Sequence, residues 1–114
     1  MWANTHGLEE LYGHMEFELV ISMPAAYAAQ ILNLFGERVR DEAVFEDREV
    51  VEGILKRFPV HLKRMSSYEK TRLRVIVPDA NGRWPEDEGC EPPYSLQIMS
   101  LEALQNESYR PHNH

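Results

Sequence analysis

The sequence predicts an α+β domain: two layers, with an antiparallel sheet of about four strands carrying two helices on one face. Three observations lead to this fold class. The chain has 114 residues, of which 43% are hydrophobic and 27% charged, as in an ordinary single globular domain. Apolar residues alternate with a period of two at 15–22, 60–65, 72–77 and 94–100, whereas two segments between the first strands repeat at helical spacing. Because most strands follow the helices, an antiparallel sheet is favoured.

The first predicted strand covers residues 15–22, and its apolar side chains face one way: Met15, Phe17, Leu19 and Ile21. Residues 1–14 show no clear period, and the sequence Gly13-His14-Met15 resembles a cloning junction. We therefore expect residues 1–14 to be an appended, tag-like or disordered segment. The single domain is expected at 15–106, followed by a polar tail at 107–114.

Two helices are predicted next. The first begins at Ser22-Met23-Pro24, since proline suits a first helical turn. Its apolar stripe consists of Ala28, Ile31, Leu32, Phe35 and Val39. The second begins at Asp47, whose carboxylate can cap it, and ends before Pro59. Its apolar stripe consists of Val50, Val51, Ile54, Leu55 and Phe58.

The remaining chain predicts strands and one long loop. Ser66 and Glu69 have the spacing of a helix-capping box, but the β-branched residues of the next strand favour a turn at 66–69. Residues 78–93 contain four prolines, two glycines and five acidic residues, which predicts a loop of unusual length. A last strand at 94–100 and a helical turn at 101–106 complete the prediction.

Composition excludes several classes of protein. Cys90 is the single cysteine, so no disulfide within the chain and no multi-cysteine metal site can form. No apolar stretch approaches the roughly 20 residues that cross a bilayer, and the N-terminus does not resemble a signal peptide. We therefore expect a cytoplasmic protein without membrane contact, bound metal or cofactor.

Charge is unevenly distributed along the chain. The net charge is −7, yet the segment 56–74 contains seven basic residues and one acidic residue, a net charge of +6. Such a segment could contact a phosphate backbone, with a tyrosine stacking on a base. The candidate nucleic-acid-binding residues are Lys63, Arg64, Tyr68, Lys70, Arg72 and Arg74. The plainer interpretation is a polar sheet surface neutralised by Glu16 and Glu18.

The acidic residues offer a second candidate surface, which would bind the lysines and arginines of a basic protein. Aromatic side chains near them could serve as packing anchors, since aromatic residues contribute much of the free energy of binding at interfaces. The candidate partner-binding residues are Glu42, Glu46, Asp47, Trp84, Glu86, Asp87, Glu88, Glu91 and Tyr94. The spacing of the loop acids does not match a calcium-binding loop, and a simply solvated loop is the plainer alternative.

Catalysis is not predicted. The sequence has no glycine-rich phosphate loop, no nucleophile elbow, no paired helix histidines around a glutamate and no zinc-ligand spacing. Acidic neighbours are expected to raise the pKa of Cys90 and blunt its thiol. An enzyme or ligand-binding domain with an unrecognised pocket stays open as an alternative.

A resemblance gives these features a biological setting. The stretch from Asp79 to Gln97, followed by Ser100-Leu-Glu-Ala-Leu, resembles small uncharacterised acidic proteins of bacterial mobile elements. Proteins of that kind include anti-CRISPR and anti-restriction inhibitors. The resemblance implies a non-enzymatic inhibitor or modulator whose partner is a basic nucleic-acid-binding protein, such as a host defence nuclease. It transfers no site residues.

Overall fold

The structure is a computed structural model that describes residues 2–109, with side chains described for residues 2–105. Its strands are β1 (Ala3–Asn4), β2 (Phe17–Leu19), β3 (Val50–Val51), β4 (Val60–Ser67) and β5 (Lys70–Ile76). Its helices are α1 (Leu8–Tyr12), α2 (Ala25–Arg40) and α3 (Leu101–Tyr109), with a 3-10 helix at Tyr94–Ile98. Of the tail expected at 107–114, residues 110–114 lie outside the described residues.

The α+β fold class is confirmed. Within the described range, five strands form one sheet in the order β1-β2-β5-β4-β3. The long pair β4–β5 is antiparallel, as predicted, but the central pair β2–β5 is parallel, with Phe17 opposite Leu73. The sheet is therefore mixed and has one strand more than the predicted four.

The first helix is confirmed. Pro24 precedes α2, where its missing N–H removes no helical hydrogen bond. The buried residues of α2 are those of the predicted stripe: Ala28, Ile31, Leu32, Phe35 and Val39. Phe35 lies against Phe17 of β2, with ring centroids 4.7 Å apart. This contact fastens α2 to one face of the sheet and forms the centre of the core.

The second predicted helix, at 47–58, is absent, and the prediction was wrong. Val50 and Val51 form β3, and β-branched side chains suit a strand better than a helix. The Asp47 carboxylate caps no helix, because its Oδ1 accepts a hydrogen bond from the Arg64 N–H (2.7 Å). Gly53 has a φ of +83°, which no helix interior allows.

Residues 3–14 are ordered, in contrast to the expected appended or disordered segment at 1–14. Ala3 and Asn4 pair with β2, and Leu8 of α1 is buried in the core. The buried ring of His14 stacks on Phe17, and its Nε2 accepts a hydrogen bond from the Phe45 N–H (3.0 Å). The segment lacks a period because its elements are too short to show one.

The β4–β5 connection is a tight turn, as favoured, with Tyr68 and Glu69 both at positive φ. The strand predicted at 94–100 is wrong, since Tyr94–Ile98 is a 3-10 helix closed by local bonds such as Leu96 N–H to Pro93 O (3.1 Å). The helical turn predicted from Leu101 is confirmed and continues as α3.

The two faces of the sheet have different coverings. Leu73 and Val75 of β5 join the apolar core, which includes the buried stripe of α2. Arg74 and Ile76 alternate with them and point to the opposite face, which we call the second face. Both are fully buried, because the chain returns over the second face after residue 93. We call residues 94–105 the strap.

Candidate binding surface

The loop at 78–93, which we call the acidic loop, is held in one conformation by its first carboxylate. Asp79 Oδ1 accepts hydrogen bonds from the N–H groups of Asn81 (2.9 Å) and Arg83 (2.8 Å). Asp79 Oδ2 accepts a bond from Arg83 Nε (2.8 Å). Burial raises the pKa of the Asp79 carboxyl, but the hydrogen bonds and charge of Arg83 outweigh it and hold the pKa below its usual value. Asp79 is thus a structural carboxylate.

Two glycines allow this loop to pack closely. Gly82 has a φ of +79°, and a Cβ there would lie 2.9 Å from the ring of Phe58. Gly89 has a φ of +87°, and a Cβ there would lie 2.9 Å from Arg83 Nη1. Side chains at either position would be strained and would displace a neighbour. The acidic loop is therefore a packed structure and not a solvated coil.

Trp84 already makes contacts inside the molecule, and its predicted role as a partner anchor stays a prediction. Its ring stacks on His61 of β4, with centroids 4.2 Å apart and planes at 15°. Its backbone N–H donates a hydrogen bond to Asp87 Oδ2 (2.7 Å). Burial lowers the pKa of His61 and Lys63 lowers it further, whereas Glu86 opposes this shift. Trp84 is half-buried and fastens the acidic loop to the second face.

The carboxylates beyond Trp84 are on the surface, as expected for charged residues of a loop. Glu86, Asp87, Glu88 and Glu91 are all exposed. Asp87 also takes part in the loop's own structure through Trp84, so the freely presented side chains are the three glutamates. They project from a backbone that Asp79 and Asp87 hold in place.

The segment at 40–47, which we call the acidic connector, carries the other predicted contacts. Glu42, Glu46 and Asp47 are exposed. Two apolar side chains are exposed nearby, Val44 by 73% and Val50 by 59%, although Val50 was predicted to lie in the apolar stripe of a helix. Exposed valines between acidic residues resemble the mixed apolar and polar composition of interfaces. The missed signal is their position beside Glu42, Glu46 and Asp47.

The acidic connector and the acidic loop attach to the same stretch of β4. The Arg64 N–H donates to Asp47, whereas His61 holds Trp84. Residues three apart in a strand are separated by about 10 Å. The structure therefore attaches the two acidic segments, which are distant in sequence, to residues of β4 that lie three positions apart.

Tyr94, whose predicted role as a partner anchor stays a prediction, makes its contacts elsewhere in the molecule. It is half-buried and packs against the apolar core. It also lines a mainly apolar cavity of about 350 Å³, together with Tyr27 and other residues near the start of α2.

One cation of the basic segment at 56–74 lies in the interior of the molecule. Arg74 is fully buried, and its Nε donates to Glu18 Oε2 at 2.7 Å. Arg72 lies with one nitrogen 3.9 Å from Glu18 and its guanidinium over the ring of Trp2. Glu18 is 1% exposed, so this carboxylate neutralises buried cations and no solvent-facing surface. The sequence feature that could have revealed this buried carboxylate is the position of Glu18 between two apolar residues of β2.

The other basic candidates are split between faces. Lys63 and Arg64 are neighbours in β4, so they point to opposite faces, and both are exposed. Lys70 is exposed at the start of β5. Tyr68 is 48% exposed, and its hydroxyl donates a hydrogen bond to Gln105 Oε1. The structure does not gather these residues into one continuous cationic face.

The described residues offer no activated thiol, no metal-binding cluster and no membrane-spanning helix. Burial and the charge of Asp79 raise the pKa of the Cys90 thiol, away from a reactive thiolate. Among the residues that the structure describes, no three His, Cys, Asp or Glu side chains are placed to hold a metal ion. No helix within residues 2–109 is long and apolar enough to span a membrane.

An open cleft of about 790 Å³ lies between the α1 region and the β4–β5 turn. Its Glu16 carboxylate is already engaged, because it accepts hydrogen bonds from Thr5 Oγ1 (2.7 Å) and the Glu9 N–H (3.2 Å).

These features define a small mixed-sheet α+β domain with a packed acidic loop. Residues 1–91 match the family described as "Domain of unknown function (DUF4262)". Because the match covers well over half of the chain, the chain belongs to that family. The match includes residues 1–14 and ends before the strap. Comparison with curated proteins and with solved structures gave no match.

Proposed function

We propose that this domain is a non-enzymatic binding protein that docks on a basic, nucleic-acid-handling protein through its acidic loop and acidic connector. The observation that carries the proposal is the fixed presentation of Glu86, Glu88 and Glu91 on a loop whose backbone is bonded to Asp79 and Asp87. A surface that is ordered before binding loses less conformational freedom when it binds.

The partner chemistry follows from charge. Exposed carboxylates attract lysine and arginine side chains, speed association and make it sensitive to salt. A protein that handles nucleic acid presents such cations where it binds phosphates, so an acidic domain would compete with nucleic acid for them. Inhibition of a host defence nuclease, of the anti-CRISPR or anti-restriction type, is the specific form of this proposal.

We assign packing at the interface to Val44 and Val50, because the rings of Trp84 and Tyr94 already have contacts within the chain. The two valines are exposed and lie in or next to the acidic connector. Truncating either to alanine is expected to weaken binding without disturbing the core, since neither side chain is buried.

The experiment compares the wild-type chain with a triple variant, Glu86→Lys, Glu88→Lys and Glu91→Lys. Asp87 is kept because it holds Trp84. The control, Glu9→Lys, Glu10→Lys and Glu37→Lys, makes the same charge change at three exposed positions elsewhere. Each is used for affinity capture from a bacterial lysate, and the captured protein is purified and bound to DNA or RNA.

The proposal predicts that the wild-type and control chains displace the nucleic acid from the captured protein. The triple variant should need an at least about tenfold higher concentration for the same displacement. Equal competition by all three chains, or capture of acidic proteins only, would refute the docking surface.

A direct nucleic-acid contact is the less supported alternative, because Arg74 is buried and Lys63 and Arg64 face opposite ways. A gel-shift series across salt concentrations tests it. Phosphate attraction is strongest at low salt, so absence of any shift there removes this function.

A further inference from the structure

The second face holds the backbone of the strap with a buried cation. Arg74 Nη1 donates hydrogen bonds to the carbonyl oxygens of Gln97 (2.8 Å) and Met99. Its Nε is fixed by Glu18, so the guanidinium cannot turn away. Main-chain carbonyls occur in every peptide, so this contact can bind an extended or helical backbone irrespective of its side chains.

Gln97 adds a contact that depends on side-chain identity. Its Oε1 accepts a hydrogen bond from the Val77 N–H (2.8 Å), and its Nε2 donates to Val77 O (2.7 Å). Val77 follows the last residue of β5, so the glutamine amide pairs with it much as a further strand would. Gln97 is only 1% exposed. Glutamate would lack the donor and asparagine would be one carbon shorter.

Leu101 is the second inserted side chain. It is 3% exposed, and its N–H donates to the hydroxyl of Ser67, at the end of β4 (3.1 Å). Ser67 is itself buried and thereby supplies a cap to α3 from outside the helix. Ile98, between the two inserted side chains, is 37% exposed. The second face thus accepts a glutamine and, four residues later, a leucine.

Apart from Tyr94, which packs against the apolar core, the strap is held by hydrogen bonds to the second face and not by strand pairing. Among residues 2–109 it adds no strand to the sheet. The three residues before it, 91–93, are exposed. The family match ends at residue 91, so the second face belongs to the matched part and the strap does not.

We propose that the second face is a peptide-binding surface, which this chain fills with its own strap. Its ligand class is a peptide segment with glutamine followed four residues later by leucine. A free segment of that kind binds in place of the strap when the strap is released. This proposal is independent of the acidic docking surface, because it involves Arg74, Val77 and Ser67 and none of the loop glutamates.

The test adds a fluorescently labelled synthetic peptide of residues 92–109 to the full chain and follows its anisotropy. In the wild-type chain the tethered strap competes at an effective concentration of order millimolar, so the peptide binds weakly. The Gln97→Ala chain has a weakened strap but an intact second face, so it should bind the wild-type peptide at least about tenfold tighter. The Ile98→Ala chain is the matched control and should bind like wild type.

A peptide carrying Gln97→Ala should bind the Gln97→Ala chain more weakly than the wild-type peptide does. The proposal is overturned if the folded Gln97→Ala chain binds the wild-type peptide no better than the Ile98→Ala chain. Hydrogen exchange on the wild-type chain gives a second measure that needs no variant. The Leu101 amide should open with a lower free energy than the Val75 amide, and equal values would make the strap an inseparable part of the core.

Discussion

Glu18 and Arg74 face each other across the parallel strands β2 and β5, and each is almost completely buried. Moving a charge out of water is costly, so each ion depends on its partner. Arg74 uses two of its nitrogens on Glu18 and the strap, whereas Nη2 has no hydrogen-bond partner among the described residues. The ion pair therefore fixes the strand register and the strap together.

Replacing Glu18 by glutamine should leave the Arg74 charge buried without its counter-ion. We expect a loss of about 3–5 kcal/mol in the free energy of unfolding, measured by urea titration. Glu10→Gln, at an exposed position, is the control and should change it by less than about 0.5 kcal/mol. A Glu18→Gln chain as stable as the control would show that the pair adds nothing to folding.

Asp79 links stability to pH. Its pKa is lower in the folded chain than its ordinary value of 3.8, mainly because the Arg83 bonds outweigh burial. The stabilisation is therefore fully present above pH 3.8 and is lost as the pH falls through the lower, folded pKa. Asp79→Asn should destabilise the chain at neutral pH, and the difference from wild type should shrink at strongly acidic pH. Urea titrations across pH measure both, and a difference that is constant with pH would contradict this assignment.

Three elements were predictable because each is long and has one clear period. The stripe of α2 repeats over four turns, β4 and β5 both alternate, and the alternation in β5 is supported by β-branched residues. The segment 47–58 misled the prediction, since Val50, Val51 and Ile54 fit a helical stripe and also a strand followed by a turn. The conformation of this segment depends on the hydrogen bond from the Arg64 N–H to Asp47. A local sequence pattern cannot show a contact between residues so far apart in the chain.

The turn between β4 and β5 stores backbone strain. Tyr68 and Glu69 have φ values of 51° and 64°, in the left-handed region that suits glycine. Replacing the exposed Glu69 by glycine should raise the free energy of unfolding by about 1 kcal/mol, measured by thermal or urea unfolding. Lys70→Gly, one residue further in the strand, is the control and should destabilise it by about 0.5–1 kcal/mol. Equal effects of the two changes would rule out strain in the turn.

At the scale of the molecule, the charge division along the chain did not become two opposite faces. Strand alternation sends Lys63 and Arg64 to different sides, and Arg74 goes inside. The acidic part of the candidate surface could be predicted because loop carboxylates are rarely buried. The roles of Trp84 and Tyr94 could not, because an aromatic residue in a loop packs inward or outward according to neighbours such as His61 that are remote in sequence.

The start of the domain can be tested by a matched pair of substitutions in α1. Leu8 is 7% exposed and belongs to the core, whereas Leu11 is 73% exposed. Leu8→Ala should lower the free energy of unfolding by about 2–5 kcal/mol. Leu11→Ala should change it by less than about 0.5 kcal/mol. If both variants unfold like the wild type, residues 1–14 contribute nothing to the fold.

The two outermost strands, β1 and β3, contain only two residues each. Beside β3, the Glu52 carbonyl already accepts a hydrogen bond from Arg38 Nη1 (3.1 Å). Long exposed edge strands can pair with strands of other chains and start fibrils, whereas very short edge strands offer too few backbone groups for such pairing. A concentrated solution of this protein should therefore resist amyloid growth, despite the apolar strands at its centre.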